Sequence, residues 1–351
     1  MQKWTAALLT GTRFWTNSRQ MSNTEELLGP ILRDVSRSFY LTLRILPKEV
    51  RQSIGLLYLL ARTTDTIADT NIIPAEKRIL KLRQFRDRVR SEGAPMPDFS
   101  NLVREQKDNG EKTLLLHCPE IITLLETTPA FDRGQIQLTL ETITRGQEQD
   151  LIRFGDGRKL KALETPTDLD DYTYHVAGCV GEFWTHLTRR YCFPKAELND
   201  SQFLALAIRF GKALQLINIL RDLPGDLKQG RCYLPKTDLD KVKLKPQDLK
   251  NPENWSKLQP IYIPWKQKAE EHLAAAWQYT LLIPHKQYRL RLACAWPILM
   301  GKRTINLLDS ANPLEQSSKR KISRSDVRSI IWSTLWRAPF KGRWLRLFGN
   351  N

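Results

Sequence analysis

The stretch YLLARTTDTIAD, residues Tyr58–Asp69, joins an apolar helical run to two aspartates four residues apart, Asp65 and Asp69. At helical spacing the two carboxylates share one face. A second stretch, LQLINILRDLPGDLKQGRCYLP at Leu214–Pro235, repeats the arrangement with Asp222 and Asp226. These are the only two Asp pairs at that spacing in the chain. Like charges so placed cost a helix about 0.2–0.5 kcal/mol. A divalent cation between them removes that cost, and Mg²⁺ typically binds through one or two carboxylates together with substrate phosphates. A single pair of this kind is usually a solvated surface feature. Here both pairs follow apolar helical runs, and each has an arginine at hand, Arg62 and Arg221. Guanidinium groups bind phosphate oxygens bidentately. The set reads as metal and diphosphate held from opposite walls of a helical cavity.

Working outward, the chain reads as nearly all helix. A short helix is expected at Glu25–Arg33 and a long one from Pro47 to Asp69. Pro at a first turn lacks only an N–H that has no partner anyway. Further helices are expected from Pro74 to Arg90, Phe131 to Phe154, Asp168 to Tyr191, Leu204 to Leu223, Pro264 to Leu282 and Tyr288 to Leu308. The Leu204–Leu223 helix is expected to stop at Pro224-Gly225. Loops are expected at Gly93–Gly110, Gly155–Thr167 and Arg231–Glu253, the first with room for a short helix. No strand alternation or fixed-period repeat stands out, so the fold class is all-α in one domain. Gly178 and Gly181 lie three apart on a helix, where glycine costs about 1 kcal/mol against Ala. They signal close approach of a ligand or another backbone.

Composition sets the outer bounds. The chain has 351 residues, 41% hydrophobic and 26% charged, and a net charge of +17. Basic residues are spread throughout, with no nucleic-acid motif, which leaves an anionic substrate and a membrane surface as the accounts of that charge. The five cysteines show no C-x-x-C spacing and fit a reducing compartment. No unbroken apolar run reaches the ~20 residues of a membrane span. Residues 1–22 form a leader with Lys3, Arg13 and Arg19 and no acid before Glu25. A misplaced start, a weak targeting segment and a disordered tail all fit it. Residues 326–351 form a basic aromatic tail in which Trp332, Trp336, Phe340, Trp344 and Phe348 alternate with Arg337, Lys341, Arg343 and Arg346. Such a mixture suits an interfacial anchor, although packing on the bundle is the ordinary alternative.

Four segments, in order, resemble the squalene/phytoene synthase family over about Val35 to Leu308. They are VSRSFYLTLRILP at Val35–Pro47, the first aspartate stretch, DYTYHVAGCVGEFW at Asp171–Trp184, and the second aspartate stretch with its following flap. The resemblance implies an isoprenoid-synthase helical bundle around a large central cavity, occupying residues 23–325. It implies Mg²⁺-dependent head-to-head condensation of two prenyl diphosphates through a cyclopropyl diphosphate. On that likeness Asp65, Asp69, Asp222 and Asp226 hold the metal. Ser36, Arg37, Ser38, Phe39, Gln215, Asn218, Arg231 and Tyr233 bind substrate. Tyr172, Arg62 and Arg221 serve the chemistry, with Tyr172 facing the allylic cation and helping to remove a proton. ACAWPILMGKRT at Ala293–Thr304 and the form DTIAD are similar to squalene-type members, which use NADPH. The basic run Lys319, Arg320, Lys321 and Arg324 is then a candidate for the NADPH phosphates. Dehydrosqualene or phytoene synthesis and a non-catalytic assembly factor of the same fold are the alternatives. Pro224-Gly225 departs from the family pattern and puts the metal role of Asp226 in question. A monomeric cytoplasmic protein, peripheral on the inner face of a membrane, completes the expectation.

Overall fold

A computed structural model describes residues 23–36, 39–310, 312–315, 321–338 and 340–348. The leader, Arg37, Ser38, Lys319 and Arg320 lie outside the described residues. The expected all-α bundle is present. Helix α1 (Asn23–Glu26) passes through a π turn (Leu27–Ile31), which contains Pro30, into α2 (Leu32–Ser36). Then come α3 (Tyr40–Ile45), α4 (Lys48–Asp69), α5 (Ala75–Arg90), α6 (Ser100–Glu105), α7 (Asn109–Leu116), α8 (Cys118–Glu126) and α9 (Ala130–Phe154). Strand β1 (Lys161–Leu163) precedes α10 (Pro166–Thr173), a π turn (Tyr174–Gly178) and α11 (Cys179–Tyr191). Helix α12 (Asp200–Lys228) leads into β2 (Arg231–Pro235) and α13 (Lys236–Lys241). The last helices are α14 (Trp255–Leu282), α15 (Tyr288–Asp309), α16 (Arg324–Arg337) and α17 (Lys341–Leu345).

Pro47 and Pro74 sit immediately before α4 and α5, as expected from their lack of an N–H donor. Three expectations fail for identifiable reasons. First, Gly155–Thr167 and Arg231–Glu253 are not simple loops. Each contributes one short strand to a parallel pair, Lys161 opposite Arg231 and Ala162 opposite Cys232. Strands of three and five residues are too short to show alternation. Second, α14 begins at Trp255 and carries Pro260 and Pro264 inside it. Third, α12 does not stop at Pro224 but continues four residues beyond it. Proline leaves the carbonyl four residues earlier, that of Leu220, without its helical donor. The buried Tyr262 hydroxyl, from α14, donates to the Leu220 oxygen at 3.2 Å. A tertiary hydrogen bond thus replaces the missing backbone one.

The core falls into two adjoining apolar clusters. One gathers α4, α5, α8 and α9, and the other gathers α12, α14, α15 and the tail. Helix α12 runs down the middle, packed on α11 and α14. By length and mean hydropathy it is the one described helix that could cross a membrane, although Arg209 and Lys212 interrupt its apolar run. Here it is a core helix, with Ala213, Leu216, Ile217 and Leu220 buried in the bundle. The glycine signal resolves to backbone packing rather than to a prenyl chain. A Cβ at Gly181 would overlap the Ala207 oxygen of α12, and a Cβ at Gly211 would overlap the Ala177 oxygen. The π turn and α11 can therefore lie directly on α12.

The boundary expected at 325/326 falls inside α16. The tail is part packed and part exposed. Trp344 is 2% exposed, stacks on Trp277 at 5.7 Å and lies under the Arg291 guanidinium at 5.0 Å. Phe348 also stacks on Trp277 at 5.7 Å, and its carbonyl accepts from Lys302. Trp332, Trp336, Phe340 and Leu345 face outward.

Candidate active site

Two clefts flank the C-terminal end of α4. The larger, about 450 Å³, is walled by α4, α9, α10, α12 and β2. The smaller, about 370 Å³, opens toward α6 and α7. Asp65, Asp69 and Asn71 belong to both. The first aspartate pair therefore stands where the two clefts adjoin.

The larger cleft brings both pairs together. Asp65 and Asp69 come from α4, and Asp222 and Asp226 from α12. Gln215, Asn218, Asp222 and Asp226 follow one another at steps of three, four and four residues, so one face of α12 presents all of them. Continuation of α12 through Pro224 keeps Asp226 in that row, so the proline does not carry it away from the cleft. Arg231 and Tyr233 enter from β2, and Tyr172 from the end of α10. Gly230, at φ +79°, makes the turn between α12 and β2.

Sequence reading missed two residues here, Gln147 and Asp150 of α9. Gln147 Nε2 donates to Asp65 Oδ1 at 2.7 Å. Asp150, 7% exposed, accepts from the Tyr233 hydroxyl at 2.9 Å and lies 3.6 Å from Arg231 Nη1. A signal existed. Ile136, Leu140, Ile143, Gln147, Asp150 and Phe154 fall at alternating steps of four and three, the stripe that a helix buries. Polar groups on that stripe must be satisfied or functional.

Electrostatically the cleft is the reverse of the whole chain. Five aspartates and one arginine line it, in a protein whose net charge is +17. Burial, together with Asp69, pushes the Asp65 carboxyl up to about 7. Burial and Asp222 do the same to Asp226, also to about 7. Burial raises Asp150 to about 6, against the pull of Arg231 and Tyr233. Arg231 Nη1 donates to Asp69 Oδ1 at 3.2 Å and so ties the first pair to β2. Tyr172 stacks on Tyr233 at 4.8 Å, and its hydroxyl donates to that of Tyr233 at 3.3 Å. Burial, then the Asp150 charge, holds Tyr172 well above the usual phenol range.

The donor set fits a hard divalent cation. All candidate ligands are oxygens, and the excess of carboxylates raises the proton affinity of Asp65 and Asp226. Among the described residues no three acids, cysteines or histidines form a ready protein cage. An ion that keeps waters and substrate phosphates in its shell needs none.

Several expected contacts lie elsewhere. Arg62 lines the smaller cleft and is ion-paired with Glu111, which Gln106 also holds at 2.8 Å. Arg221 clamps Asp222, with Nε 2.9 Å from Oδ1 and Nη2 on Oδ2, and does not line the cleft. Its guanidinium is engaged with that carboxylate. The Ser36 hydroxyl is buried and donates back to Leu32 O at 2.5 Å, the usual intrahelical bond of serine. Phe39 stacks on Tyr58 at 5.5 Å, outside the cleft wall. Lys321 and Arg324 are exposed where α16 begins and line neither cleft.

Comparison with known proteins gives the family and the fold. The family model for squalene/phytoene synthase matches residues 32–326. A presqualene diphosphate synthase of Rhodopseudomonas palustris is 29% identical over 273 residues, covering 77% of this chain and 82% of that one. A squalene synthase of Cyberlindnera jadinii is 27% identical, covering 90% of this chain and 68% of that one. A bifunctional lycopene cyclase/phytoene synthase of Gibberella fujikuroi is 32% identical over 62% of this chain, which spans only 36% of it. In fold, the chain is similar to a ligand complex of TcSQS, with a TM-score of 0.73 and 22% identity over 92% of this chain and 91% of that one. A dehydrosqualene synthase complex gives 0.64 at 22% identity over 90% and 96%. With the match running through both aspartate helices and the bundle that carries them, the chain belongs to the squalene/phytoene synthase family of prenyltransferases.

Proposed function

We propose that the protein joins two farnesyl diphosphates head to head through presqualene diphosphate and reduces that intermediate with NADPH to squalene. One observation carries the first half. A cleft lined by five aspartates and one arginine would repel a diphosphate that entered alone. Such a wall serves an anionic substrate only when cations accompany it. Asp65 and Asp69 on one side, and Asp222 and Asp226 on the other, are the residues to hold Mg²⁺. Once bound, the metal would neutralise the departing diphosphate.

The chain supplies the rest. Arg231 is the one cation on the wall and is braced by Asp69 and Asp150, so it meets diphosphate oxygens without reorganising. Gln215 and Asn218 offer amide donors two turns and one turn before Asp222. Leu151, Val176 and Ile219 give the cleft apolar wall beside these groups. The stacked rings of Tyr172 and Tyr233 offer π faces to an allylic cation. To the Tyr172 oxygen we assign the removal of the proton whose loss closes the cyclopropane.

A second reading, release of presqualene diphosphate without reduction, is favoured by the relative that bears that name and by the position of Lys321 and Arg324 away from the cleft. Purified protein, farnesyl diphosphate and Mg²⁺, with and without NADPH, separate the two. Squalene formed only with NADPH supports the full reaction, and presqualene diphosphate under both conditions supports the second reading. Dehydrosqualene regardless of NADPH, or phytoene from geranylgeranyl diphosphate, makes this a carotenoid-type member. No turnover of either diphosphate sinks the enzyme reading and leaves the non-catalytic alternative.

The apolar product also needs a bilayer. Trp332, Trp336, Phe340 and Leu345 are exposed beside the exposed Arg343 and Arg346, and we place this face of the tail on an anionic membrane at the cytoplasmic side.

A further inference from the structure

Asp150 is a buried carboxylate of the cleft wall to which the condensation described above gives no part in proton transfer. Its Oδ2 accepts from the Tyr233 hydroxyl at 2.9 Å. The Tyr233 oxygen in turn accepts from the Tyr172 hydroxyl at 3.3 Å. The three groups, all on the cleft wall, therefore form one directed chain of hydrogen bonds from Tyr172 through Tyr233 to Asp150. Stacking of the two rings at 4.8 Å and 22° fixes their relative position. Asp150 Oδ1 is buried with no hydrogen-bond partner. The charged and titratable groups facing this carboxylate are Arg231 and Tyr233 of β2, Asp69 of α4, Asp226 of α12, Tyr172 of α10 and Arg153 of its own helix.

We propose that Asp150 is the terminal acceptor of a proton relay that runs from the substrate through Tyr172 and Tyr233. The inference rests on the head-to-head reading. In that reaction the C1–O bond of one prenyl diphosphate breaks, and its electron pair leaves with the diphosphate. C1 then bonds to C2 of the second chain and leaves a cation at C3. The newly joined C1 of the first chain then loses a proton, the pair of that C1–H bond forms the bond from this carbon to C3 of the second chain, and the cyclopropane closes with the second chain's own C1 still carrying its diphosphate. The released proton goes to the Tyr172 oxygen, the Tyr172 proton to Tyr233, and the Tyr233 proton to Asp150 Oδ2. Both phenols end neutral, Asp150 ends as a carboxylic acid, and charge balances.

The physical need is clear. Burial keeps both tyrosines protonated, and a neutral phenol is a poor base unless it can pass its own proton on. A carboxylate two hydroxyls away gives that proton a destination. In this relay Asp150 acts through the two tyrosines, as a positioning and proton-accepting group rather than as the base that meets the carbon.

The test is Asp150→Asn in the full chain, with farnesyl diphosphate, Mg²⁺ and no NADPH, reading formation of presqualene diphosphate from unlabelled and C1-dideuterated substrate. Loss of a general base typically costs 10²–10⁴-fold, so kcat is expected to fall by about 100-fold while KM stays within about threefold. A primary deuterium isotope effect should appear in the variant, because proton removal becomes rate-limiting. Tyr233→Phe cuts the same relay while keeping the carboxylate itself, and it gives the same isotope effect. It also serves if Asp150→Asn folds poorly. An Asp150→Asn enzyme with kcat within about threefold of wild type overturns the relay and assigns the proton to another acceptor, such as the departing diphosphate. Lost kcat with no isotope effect also overturns it, since a purely structural role has that signature. Wild-type protein that turns over no prenyl diphosphate refutes the reading beneath the proposal instead, so the two failures are distinct.

Discussion

Tyr262→Phe isolates the bond that lets α12 pass through Pro224. The substitution removes one hydroxyl and keeps the ring, which packs edge-on to Trp255 at 5.3 Å and 84°. Tyr262 is 1% exposed and Leu220 is fully buried, so water cannot replace the lost donor at the Leu220 carbonyl. A buried polar group left unpaired costs about 1–3 kcal/mol. Any other contact of the hydroxyl is lost as well, so the single variant does not settle the matter. The decisive comparison adds Pro224→Ala. Alanine brings back a backbone N–H aimed at the Leu220 oxygen, and the helix no longer depends on Tyr262. Urea unfolding of wild type, the two single variants and the double variant gives the cycle. Tyr262→Phe should cost about 1–3 kcal/mol with Pro224 present and at least about 1 kcal/mol less in the Pro224→Ala background. Equal costs in both backgrounds refute the substitution of a tertiary bond for a helical one. The outcome bears on function because Asp226 lies two residues beyond the proline. In Tyr262→Phe alone, weaker coupling of Asp222 and Asp226 should appear as a lower Mg²⁺ affinity, restored when Pro224→Ala is added.

Three further perturbations test the site and its frame. Asp65 and Asp226 sit near 7 in the folded protein and about 3.9 when unfolded, so the native state binds more protons between those values. Stability of protein in chelator should therefore fall as pH rises from about 4 to 7, by up to about 1.4 kcal/mol per pH unit for each group, and level off above. Asp226→Asn should reduce that slope and abolish activity, and a flat pH series by chemical denaturation would contradict the crowding of carboxylates. Gly181→Ala or Gly211→Ala pushes the π turn and α11 away from α12, with an expected loss of about 1–3 kcal/mol in urea unfolding, and an unchanged midpoint would show that the two backbones are not in contact. In the tail, Trp344→Ala should cost about 3–5 kcal/mol, because the ring is buried against Trp277. Trp336→Ala, at a ring 71% exposed, should leave stability within about 0.5 kcal/mol and weaken sedimentation with anionic liposomes. Liposome binding that is indifferent to Trp336 would remove this face from the membrane reading.

The sequence announced what depends on spacing and hid what depends on contact. Asp65/Asp69 and Asp222/Asp226 are legible because four residues on a helix bring two like charges to one face, and this happens nowhere else among the aspartates. Helix starts at Pro47 and Pro74 are legible because proline states its own requirement. Pro224 states the same requirement and misleads, since the group that satisfies it is a tyrosine 38 residues further on. The two glycines predict a close approach correctly, but what approaches them is α12, whose own Gly211 makes the fit reciprocal. Arg62 and Arg221 show the limit of proximity in sequence. Each adjoins an aspartate pair, yet Glu111 draws Arg62 into the neighbouring cleft, and Arg221 is engaged with Asp222.

Asp150 is the instructive omission, because its position on a buried stripe is visible without any structure. A carboxylate among Ile136, Leu140, Ile143 and Phe154 loses its hydration and receives only one hydrogen bond and one distant guanidinium in return. Its neighbours make the arrangement less favourable still, since four other aspartates share the same cleft wall. An apolar side chain of similar volume would suit the fold better, and the same holds for Asp65 and Asp226, whose raised proton affinity measures the strain of holding charge there. Carboxylates gathered against their own stability concentrate negative potential where a diphosphate must bind. That is unfavourable for the protein alone and for the substrate alone. It becomes favourable when cations enter with the substrate, which makes the composition of this wall a stronger argument for metal-accompanied binding than either aspartate pair by itself.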